Sequence, residues 1–291
     1  MKWLITGAYG QLGTALQEEL TIRGIDFVGA NSSELDITKP LIVNQIVDLI
    51  KPSVIINTAA WTDVDGAESN EFAAYSVNSL GPRNLAITAS KVGAQMVQIS
   101  TDYVFSGAAS APWGENTKHN SQSVYGLTKS DGERFVLTEL PNKSYVVRTA
   151  WLYSSHGNNF VKTMTDLAMN HTGEVRVVSD QIGQPTFSAD LAKQIVELVL
   201  SKAPAGIYHG TNSGQATRFE FAQEIFSLAG ADISRVIQVS TSEFPRPAKR
   251  PAYSVLSHDA WANTFVPAMR NWKIALSEAM PAIISAVKME E

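Results

Sequence analysis

The stretch ITGAYGQLG at residues 5–13 places three glycines at intervals of three directly behind the apolar opening of the chain. An apolar strand that runs into such a loop and then into a helix leaves backbone N–H groups at the helix N-terminus, where the helix dipole favours a diphosphate. Gly7 would permit the tight turn, Gly10 the close approach of a ligand, and Gly13 the close packing of helix on strand. The spacing differs from G-x-G-x-x-G, so a turn that binds no ligand remains an alternative.

Outward from this loop, short apolar runs alternate with amphipathic stretches through the first half of the chain. Strands alternating with helices predict a parallel sheet covered on both faces, so we predict an α/β fold with a doubly wound, Rossmann-type sheet. The order changes near residue 155, and later segments such as ADLAKQIVELVLS (189–201) and GIYHGTN (206–212) predict a smaller, partly interleaved lobe. We therefore assign residues 1–155 to a dinucleotide-binding domain and residues 156–291 mainly to a substrate-binding lobe.

Composition excludes several classes of protein. The net charge of −5 over 291 residues provides no basic surface for nucleic acid. The sequence has no cysteine, which excludes disulfides and thiolate metal sites and suits a cytoplasmic location. The apolar opening is short for a signal peptide, and no run of about 18 apolar residues occurs, so we expect neither export nor a membrane span. The five histidines have no metal-ligand spacing, and no catalytic metal is predicted.

The end of the second predicted strand bears on the choice of cofactor. Dinucleotide folds usually carry an acidic residue there that binds the adenosine ribose, whereas this chain has Asn31 and Ser32. The missing carboxylate removes repulsion against a 2′-phosphate, but no arginine stands there to bind one. Either NADPH or NADH fits, with a slight preference for NADPH.

A second group of residues indicates catalysis. Tyr125 and Lys129 in YGLTK lie four residues apart on a helix predicted over 123–140, and Thr101 ends the preceding strand at the edge where open α/β sheets bind ligands. A ketone that accepts hydride needs a proton, which a phenol with a pKa near 10 gives up reluctantly. An ammonium about 5 Å away is worth roughly 3 kcal/mol to the phenolate, so we expect Lys129 to lower the pKa of Tyr125 towards neutrality. Thr101 would hydrogen-bond the carbonyl oxygen. The alternative is that Tyr125 and Lys129 are ordinary surface residues of an amphipathic helix.

Several motifs together carry a family resemblance. They are the glycine loop, NTAAWT (57–62), STDYVF (100–105), YGLTK (125–129), DQIGQPT (180–186) and RPAYSVL (250–256). With them the chain resembles the extended short-chain dehydrogenase/reductases, and within these the dTDP-4-dehydrorhamnose reductase family, over nearly its whole length. The resemblance implies NAD(P)H-dependent reduction of the C4 ketone of dTDP-4-dehydro-L-rhamnose to dTDP-L-rhamnose, an activated sugar for bacterial cell-surface polysaccharides, with a tyrosine as proton donor.

The resemblance and the residue patterns together assign the site. The catalytic set is Thr101, Tyr125 and Lys129. The predicted cofactor-binding residues are Gly7, Gly10, Gln11, Leu12, Gly13, Asn31, Ser32, Asp36, Ile37, Ala59, Ala60, Trp61, Tyr125 and Lys129. The predicted substrate-binding residues are Thr101, Asp102, Tyr103, Trp151 and Arg250. Trp151 offers an apolar face for a deoxysugar, and the Arg250 guanidinium suits a diphosphate; a core tryptophan and a solvated loop arginine are the alternatives.

Other functions remain open on the sequence alone. One is a different sugar-nucleotide reaction on the same scaffold, such as epimerisation; dehydration is disfavoured because Tyr103 stands where the dehydratases carry a glutamate. Another is a non-catalytic, NADP-binding regulatory subunit similar to the methionine adenosyltransferase beta subunit. Some family members form magnesium-bridged dimers through a carboxylate in the first helix, where this chain has Thr14 and Ala15. Both a monomer and a homodimer therefore stay possible. The motif DVDG (63–66) is interpreted as a turn.

Overall fold

The computed structural model describes residues 2–289 of the chain. Its strands are β1 (Trp3–Thr6), β2 (Phe27–Ala30), β3 (Val54–Asn57), β4 (Gln95–Thr101), β5 (Ser144–Thr149), β6 (Leu152–Tyr153), β7 (Val175–Val178), β8 (Ile182–Gly183), β9 (Thr186–Phe187), β10 (Gly206–His209), β11 (Ala216–Thr217) and β12 (Val236–Val239). Its α-helices are α1 (Gln11–Ile22), α2 (Pro40–Ile50), α3 (Val64–Ser69), α4 (Glu71–Tyr75), α5 (Gly81–Val92), α6 (Val124–Glu139), α7 (Phe160–Asn170), α8 (Ser188–Leu200), α9 (Arg218–Leu228) and α10 (Trp272–Met289).

Six strands form the central sheet in the order β2-β1-β3-β4-β5-β10, and every neighbouring pair is parallel. This confirms the predicted doubly wound sheet. The strand order reverses between β1 and β3, so the connections that leave these two strands diverge. A crevice at such a reversal, outside the carboxyl ends of the strands, is where open α/β sheets bind ligands.

Alternating side chains of the buried strands form two cores, one on each face of the sheet. Trp3 and Ile5 of β1 pack with α1 and α8, whereas Leu4 packs on the opposite face with α2 and α5. All three are fully buried. Covering both faces explains why β1 and β3 begin with three consecutive apolar residues.

A third core belongs to the smaller lobe, where α7, α9 and α10 pack around aromatic side chains such as Phe221 and Trp272. The parallel pair β7 and β12 lies beside α9. None of the helices within residues 2–289 has the length and hydropathy needed to cross a bilayer.

The smaller lobe is built differently from the sequence-based expectation in one respect. The segments 189–201 and 206–212 were assigned to it, but α8 packs on α1, and β10 pairs in register with β5 at the edge of the central sheet. That assignment is wrong for these two segments, because their apolar faces complete the core of the first lobe. The boundary near residue 155 stays a prediction. Beyond it, the chain returns to the first lobe at α8 and β10.

Two local irregularities interrupt the regular secondary structure. The run SYVVRTAWLY (144–153) is two strands, because Trp151 has a left-handed backbone (φ +46°) that ends the path of β5 and turns the chain towards β9. A π-helical turn at Ser76–Leu80 lies between α4 and α5. Its Asn78 is buried, and its amide oxygen accepts a hydrogen bond from the backbone N–H of Trp61 at 2.9 Å. Both irregularities lie beside the candidate site.

Candidate active site

A groove of about 850 Å³ runs along the carboxyl ends of β1, β3 and β4. All fourteen residues predicted to bind the cofactor line it: Gly7, Gly10, Gln11, Leu12, Gly13, Asn31, Ser32, Asp36, Ile37, Ala59, Ala60, Trp61, Tyr125 and Lys129. Thr101, Asp102, Tyr103 and Trp151 line the same groove. The structure thus brings the predicted cofactor-binding residues and four of the five predicted substrate-binding residues into one continuous space.

The glycine loop has the shape that a diphosphate requires. Gly7 has φ +69°, and a Cβ on it would lie 2.6 Å from the backbone nitrogen of Ala59 in the neighbouring strand connection. A Cβ on Gly13 would lie 2.7 Å from the carbonyl carbon of Ala8, so helix α1 can pack this closely only without a side chain there. Gly10 occupies the N-cap and has no side chain with which to cap the first N–H groups of the helix. These donors fit the diphosphate of a dinucleotide.

At the far end of the groove, Asn31 and Ser32 follow β2 at the position where dinucleotide folds usually carry an acidic residue. The Asn31 side-chain oxygen accepts from the backbone nitrogens of Ser33 and Glu34, at 2.9 and 3.1 Å, and so closes the turn after β2. The carboxylate of Glu34 bonds back to the Asn31 nitrogen at 2.9 Å. Asn31 and Ser32 therefore offer a 2′-phosphate neither a carboxylate nor a guanidinium at this position, although the Asp36 side chain also lines the groove.

The three predicted catalytic residues meet at the opposite end. Lys129 is buried on α6 and donates to the backbone oxygen of Ile99 at 2.6 Å. The Thr101 hydroxyl accepts from the Tyr103 nitrogen at 3.2 Å and donates to a carboxylate oxygen of Asp102 at 3.0 Å. Helix α6 begins at Val124, with the Ser123 hydroxyl accepting from Gly126 N–H at 3.2 Å, so Tyr125 stands in its first turn. The predicted helical spacing is confirmed.

The electrostatics of this pair differ from the sequence-based expectation. Burial raises the pKa of Tyr125 above its ordinary value, with Thr101 opposing the shift and Asp102 adding to it. Burial also lowers the pKa of Lys129 to about 8, partly offset by Glu133. The expectation that Lys129 brings the pKa of Tyr125 towards neutrality is therefore wrong for this pocket, because desolvation of the phenol dominates the shift. The phenol keeps its proton, which is the state that a proton donor needs.

A buried ion pair beneath the catalytic residues escaped the sequence analysis. Glu133 lies one helical turn after Lys129, and its carboxylate is 2.7 Å from the Arg148 guanidinium of β5, with both side chains 1% exposed. The Ser100 hydroxyl of β4 donates to the same carboxylate. Burial raises the pKa of Glu133, but Arg148 and His119 outweigh it and lower the pKa to about 2. One carboxylate thus fastens the catalytic helix to the two strands that flank the site. The signal in the sequence that could have indicated this ion pair is Arg148, which directly follows the apolar residues 145–147 of β5.

Asp102 presents a second unusual carboxylate. It is 2% exposed, and its Oδ2 atom has no hydrogen-bond partner among residues 2–289. Burial raises its pKa to about 6, against the lowering effects of the Ser254 and Thr101 hydroxyls and of the Arg218 guanidinium. A buried oxygen without a partner, at the groove wall, fits a ligand hydroxyl.

A second cavity of about 760 Å³ lies between the smaller lobe and the proline-rich loop 243–253. Tyr103 and Arg218 line both cavities and so mark where they meet. The Arg218 guanidinium stacks 3.7 Å from the centroid of the Trp151 ring, and no carboxylate pairs with it among the described residues. Burial lowers its pKa to about 10. This cation was missed because nothing in TRFEFAQEIF distinguishes it from a surface arginine of an amphipathic helix.

Arg250 lines the second cavity, but it already has an acidic partner. Its guanidinium is 2.8 Å from the Asp65 carboxylate and 3.2 Å from the Ala248 carbonyl oxygen. Direct binding of a diphosphate by Arg250 stays a prediction. Within residues 2–289, no three His, Asp or Glu side chains cluster as possible metal ligands.

The family described as RmlD substrate binding domain matches residues 1–284. The chain belongs to this family. Among curated relatives, it is 45% identical over 286 residues to a dTDP-4-dehydrorhamnose reductase of Streptomyces griseus, covering 97% of this chain and 94% of that one. It is 42% identical over 282 residues to a dTDP-4-keto-6-deoxy-D-glucose reductase of Streptomyces niveus, covering 97% of each.

Solved structures of the RmlD family share the fold closely. A dTDP-4-dehydrorhamnose reductase of Bacillus anthracis, solved in complex with NADP, superposes with a TM-score of 0.92 at 42% identity, covering 96% of this chain and 98% of that one. The family resemblance stated from the motifs is therefore confirmed.

Proposed function

We propose that this protein uses NADPH to reduce the C4 ketone of dTDP-4-dehydro-L-rhamnose to dTDP-L-rhamnose. The observation that carries the proposal is the meeting of three features at one point. The glycine-lined groove reaches Thr101, Tyr125 and Lys129 there, and the second cavity opens beside them across Arg218. Membership of the RmlD family and relatives named as dTDP-sugar reductases support this substrate class.

The cofactor, when bound, supplies hydride. The N–H groups of the glycine loop bind its diphosphate, and Lys129 and the wall of the groove hold its other end. Thr101 orients the ketone oxygen, and Tyr125 donates a proton to that oxygen as negative charge develops on it. Its raised pKa keeps the phenol protonated until the reaction creates a stronger base. Lys129, with a pKa of about 8, keeps a positive charge beside the donor at pH 7.

NADPH is preferred over NADH in this proposal because Asn31 and Ser32 present no carboxylate to a 2′-phosphate. The Bacillus anthracis relative solved with NADP supports this choice. The hydrogen bonds around Asn31 occupy the backbone N–H groups of Asn31, Ser33 and Glu34 and hold the turn in place.

The sugar and its diphosphate would occupy the junction of the two cavities. The Trp151 ring offers an apolar face to the 6-deoxy carbon, and the unpartnered oxygen of Asp102 accepts from a sugar hydroxyl. Arg218 provides an unpaired guanidinium for the diphosphate. The left-handed backbone of Trp151 fixes its ring at this junction, as strained residues at functional sites often do.

A second candidate is reduction of a different dTDP-4-keto-6-deoxysugar, which the Streptomyces niveus relative favours. Dehydration is disfavoured because Tyr103, whose pKa burial raises to about 12, is a poor acid at the position next to Asp102. A purely regulatory role would not require the buried ion pair that fastens Tyr125 and Lys129 in place.

The deciding experiment follows NADPH and NADH consumption at 340 nm with a panel of 4-keto nucleotide sugars. We expect turnover with dTDP-4-dehydro-L-rhamnose and a higher kcat/KM with NADPH. Turnover only with another 4-keto sugar would support the second candidate, and no turnover with any of them would contradict both. A cytoplasmic location is part of this proposal, supported by the cysteine-free sequence. A monomer or a homodimer stays a prediction.

A further inference from the structure

The short helix α3, which begins inside the DVDG motif, touches three parts of the site. The Asp63 side chain caps it by accepting from the Gly66 nitrogen at 2.9 Å, and the Asp63 carbonyl accepts from the Trp61 indole nitrogen at 2.9 Å. Trp61 lines the cofactor groove. The start of α3 is therefore anchored to that groove, and the motif is more than a turn.

The first turn of the helix contacts the wall of the second cavity. The Asp65 carboxylate receives the Arg250 guanidinium at 2.8 Å and the Ala248 backbone nitrogen at 3.1 Å, and Arg246 stands 4.0 Å away. Asp65 and Arg250 are 24% and 20% exposed, so solvent screens the pair only in part. Three donors of loop 243–253 thus converge on one carboxylate of the first lobe.

The last turn reaches the catalytic helix. The Glu68 carboxylate accepts from the backbone nitrogen of Val124 at 2.9 Å. Val124 begins α6 and precedes Tyr125, so a carboxylate also complements the dipole at that helix N-terminus. One helix of six residues therefore contacts the cofactor groove, the substrate loop and the base of the proton donor.

We propose that Asp65 is a positioning residue that clasps loop 243–253 against the second cavity and thereby sets the affinity for the nucleotide part of the substrate. Arg250 then acts on the substrate through the loop and not by direct contact, while Arg218 is the cation that meets the diphosphate. The inference rests on the proposed function for the identity of the ligand. The clasp itself is a property of the fold, because its contacts join two segments 183 residues apart.

A double-mutant cycle separates the clasp from direct binding. Asp65→Asn and Arg250→Gln should each raise the KM for the sugar nucleotide about fivefold to tenfold, as expected for a part-buried, charge-assisted contact. The double variant should be no worse than either single variant, with kcat and the Kd for NADPH within about twofold of wild type. Asp26→Asn, in an exposed pair with Lys2, is the matched control and should change nothing. Additive losses, or a loss in Arg250→Gln alone, would overturn the proposal.

Limited trypsin digestion tests the clasp without any substrate. Within the loop, Arg246 and Arg250 each precede proline, which blocks trypsin, whereas the exposed Lys249 precedes Arg250 and is the cleavable position. Asp65→Asn should speed cleavage after Lys249 about fivefold while leaving the thermal midpoint within about 1 °C of wild type. Equal cleavage rates would overturn the clasp. Faster cleavage in a protein that reduces no 4-keto sugar would leave the clasp standing and remove the proposed function.

Discussion

Replacing Glu133 with glutamine should separate the stability of the site from its chemistry. Glu133→Gln keeps the shape of the side chain but leaves the Arg148 charge buried without its partner. Breaking a buried ion pair from one side costs about 3–5 kcal/mol. The pKa of Glu133, lowered from 4.5 to about 2, gives a second measure on the order of 3 kcal/mol. For 291 residues, 3 kcal/mol corresponds to a fall in Tm of about 5 °C.

The pH dependence of the unfolding free energy shows whether the lost stability comes from the Glu133 carboxylate. A carboxylate whose pKa is lowered on folding contributes its full stability above the unfolded value of about 4.5 and loses it as the pH falls towards 2. The stability gap between wild type and Glu133→Gln should therefore be widest at pH 7 and shrink below pH 4.5. Thermal unfolding across this range measures the gap. Glu139→Gln, on the same helix in a part-exposed pair with Arg83, is the control and should lose less than about 1 kcal/mol. A gap below about 1 kcal/mol at pH 7, or one that does not change with pH, would refute the reasoning.

Three further variants test the rest of the site. Gly13→Ala places a Cβ against the backbone of Ala8, so the NADPH Kd from fluorescence titration should rise at least about tenfold, whereas Gly173→Ala, with no atom within 4 Å of its Cβ, should change nothing. Lys129→Met should be inactive yet more stable than wild type by about 1–3 kcal/mol at pH 7, because burial of the ammonium opposes folding there. This gain in stability should decrease as the pH rises from 8 past 10.5, and unfolding measured at pH 7 and pH 10 tests it. Arg218→Lys should raise the KM for the sugar nucleotide about tenfold in steady-state assays, since an ammonium cannot replace the bidentate guanidinium, and an unchanged KM would exclude its contact with the diphosphate.

Local patterns were sufficient to predict most of the fold. Apolar alternation and glycine spacing depend on near neighbours, so the alternation of strands and helices in the first half of the chain and helix α6 were predicted correctly. The segments 189–201 and 206–212 were assigned to the wrong lobe because their own residues do not specify which sheet edge they join. That choice depends on the pairing of β10 with β5 and of α8 with α1. The left-handed backbone of Trp151 gave no sequence signal either, since it is a non-glycine residue in an apolar run.

The site, too, has residues that local patterns predicted and residues that they did not. The family motifs placed Thr101, Tyr125 and Lys129 together because their spacing along the chain encodes a strand end and one helix face. Arg218 and Asp65 were not predicted, since each acts on a segment far away in sequence. The pKa of Tyr125 was misjudged for a related reason, because a pairwise estimate of the ammonium omits the desolvation that only the folded pocket reveals.

The central claim is that Tyr125 donates the proton beside a dinucleotide held by the glycine loop. The most direct measurement compares kcat and the NADPH Kd of Tyr125→Phe with those of wild type, using dTDP-4-dehydro-L-rhamnose. The account predicts a fall in kcat of at least about a hundredfold, with the NADPH Kd within about twofold. A variant that kept more than about a tenth of the wild-type kcat would contradict it.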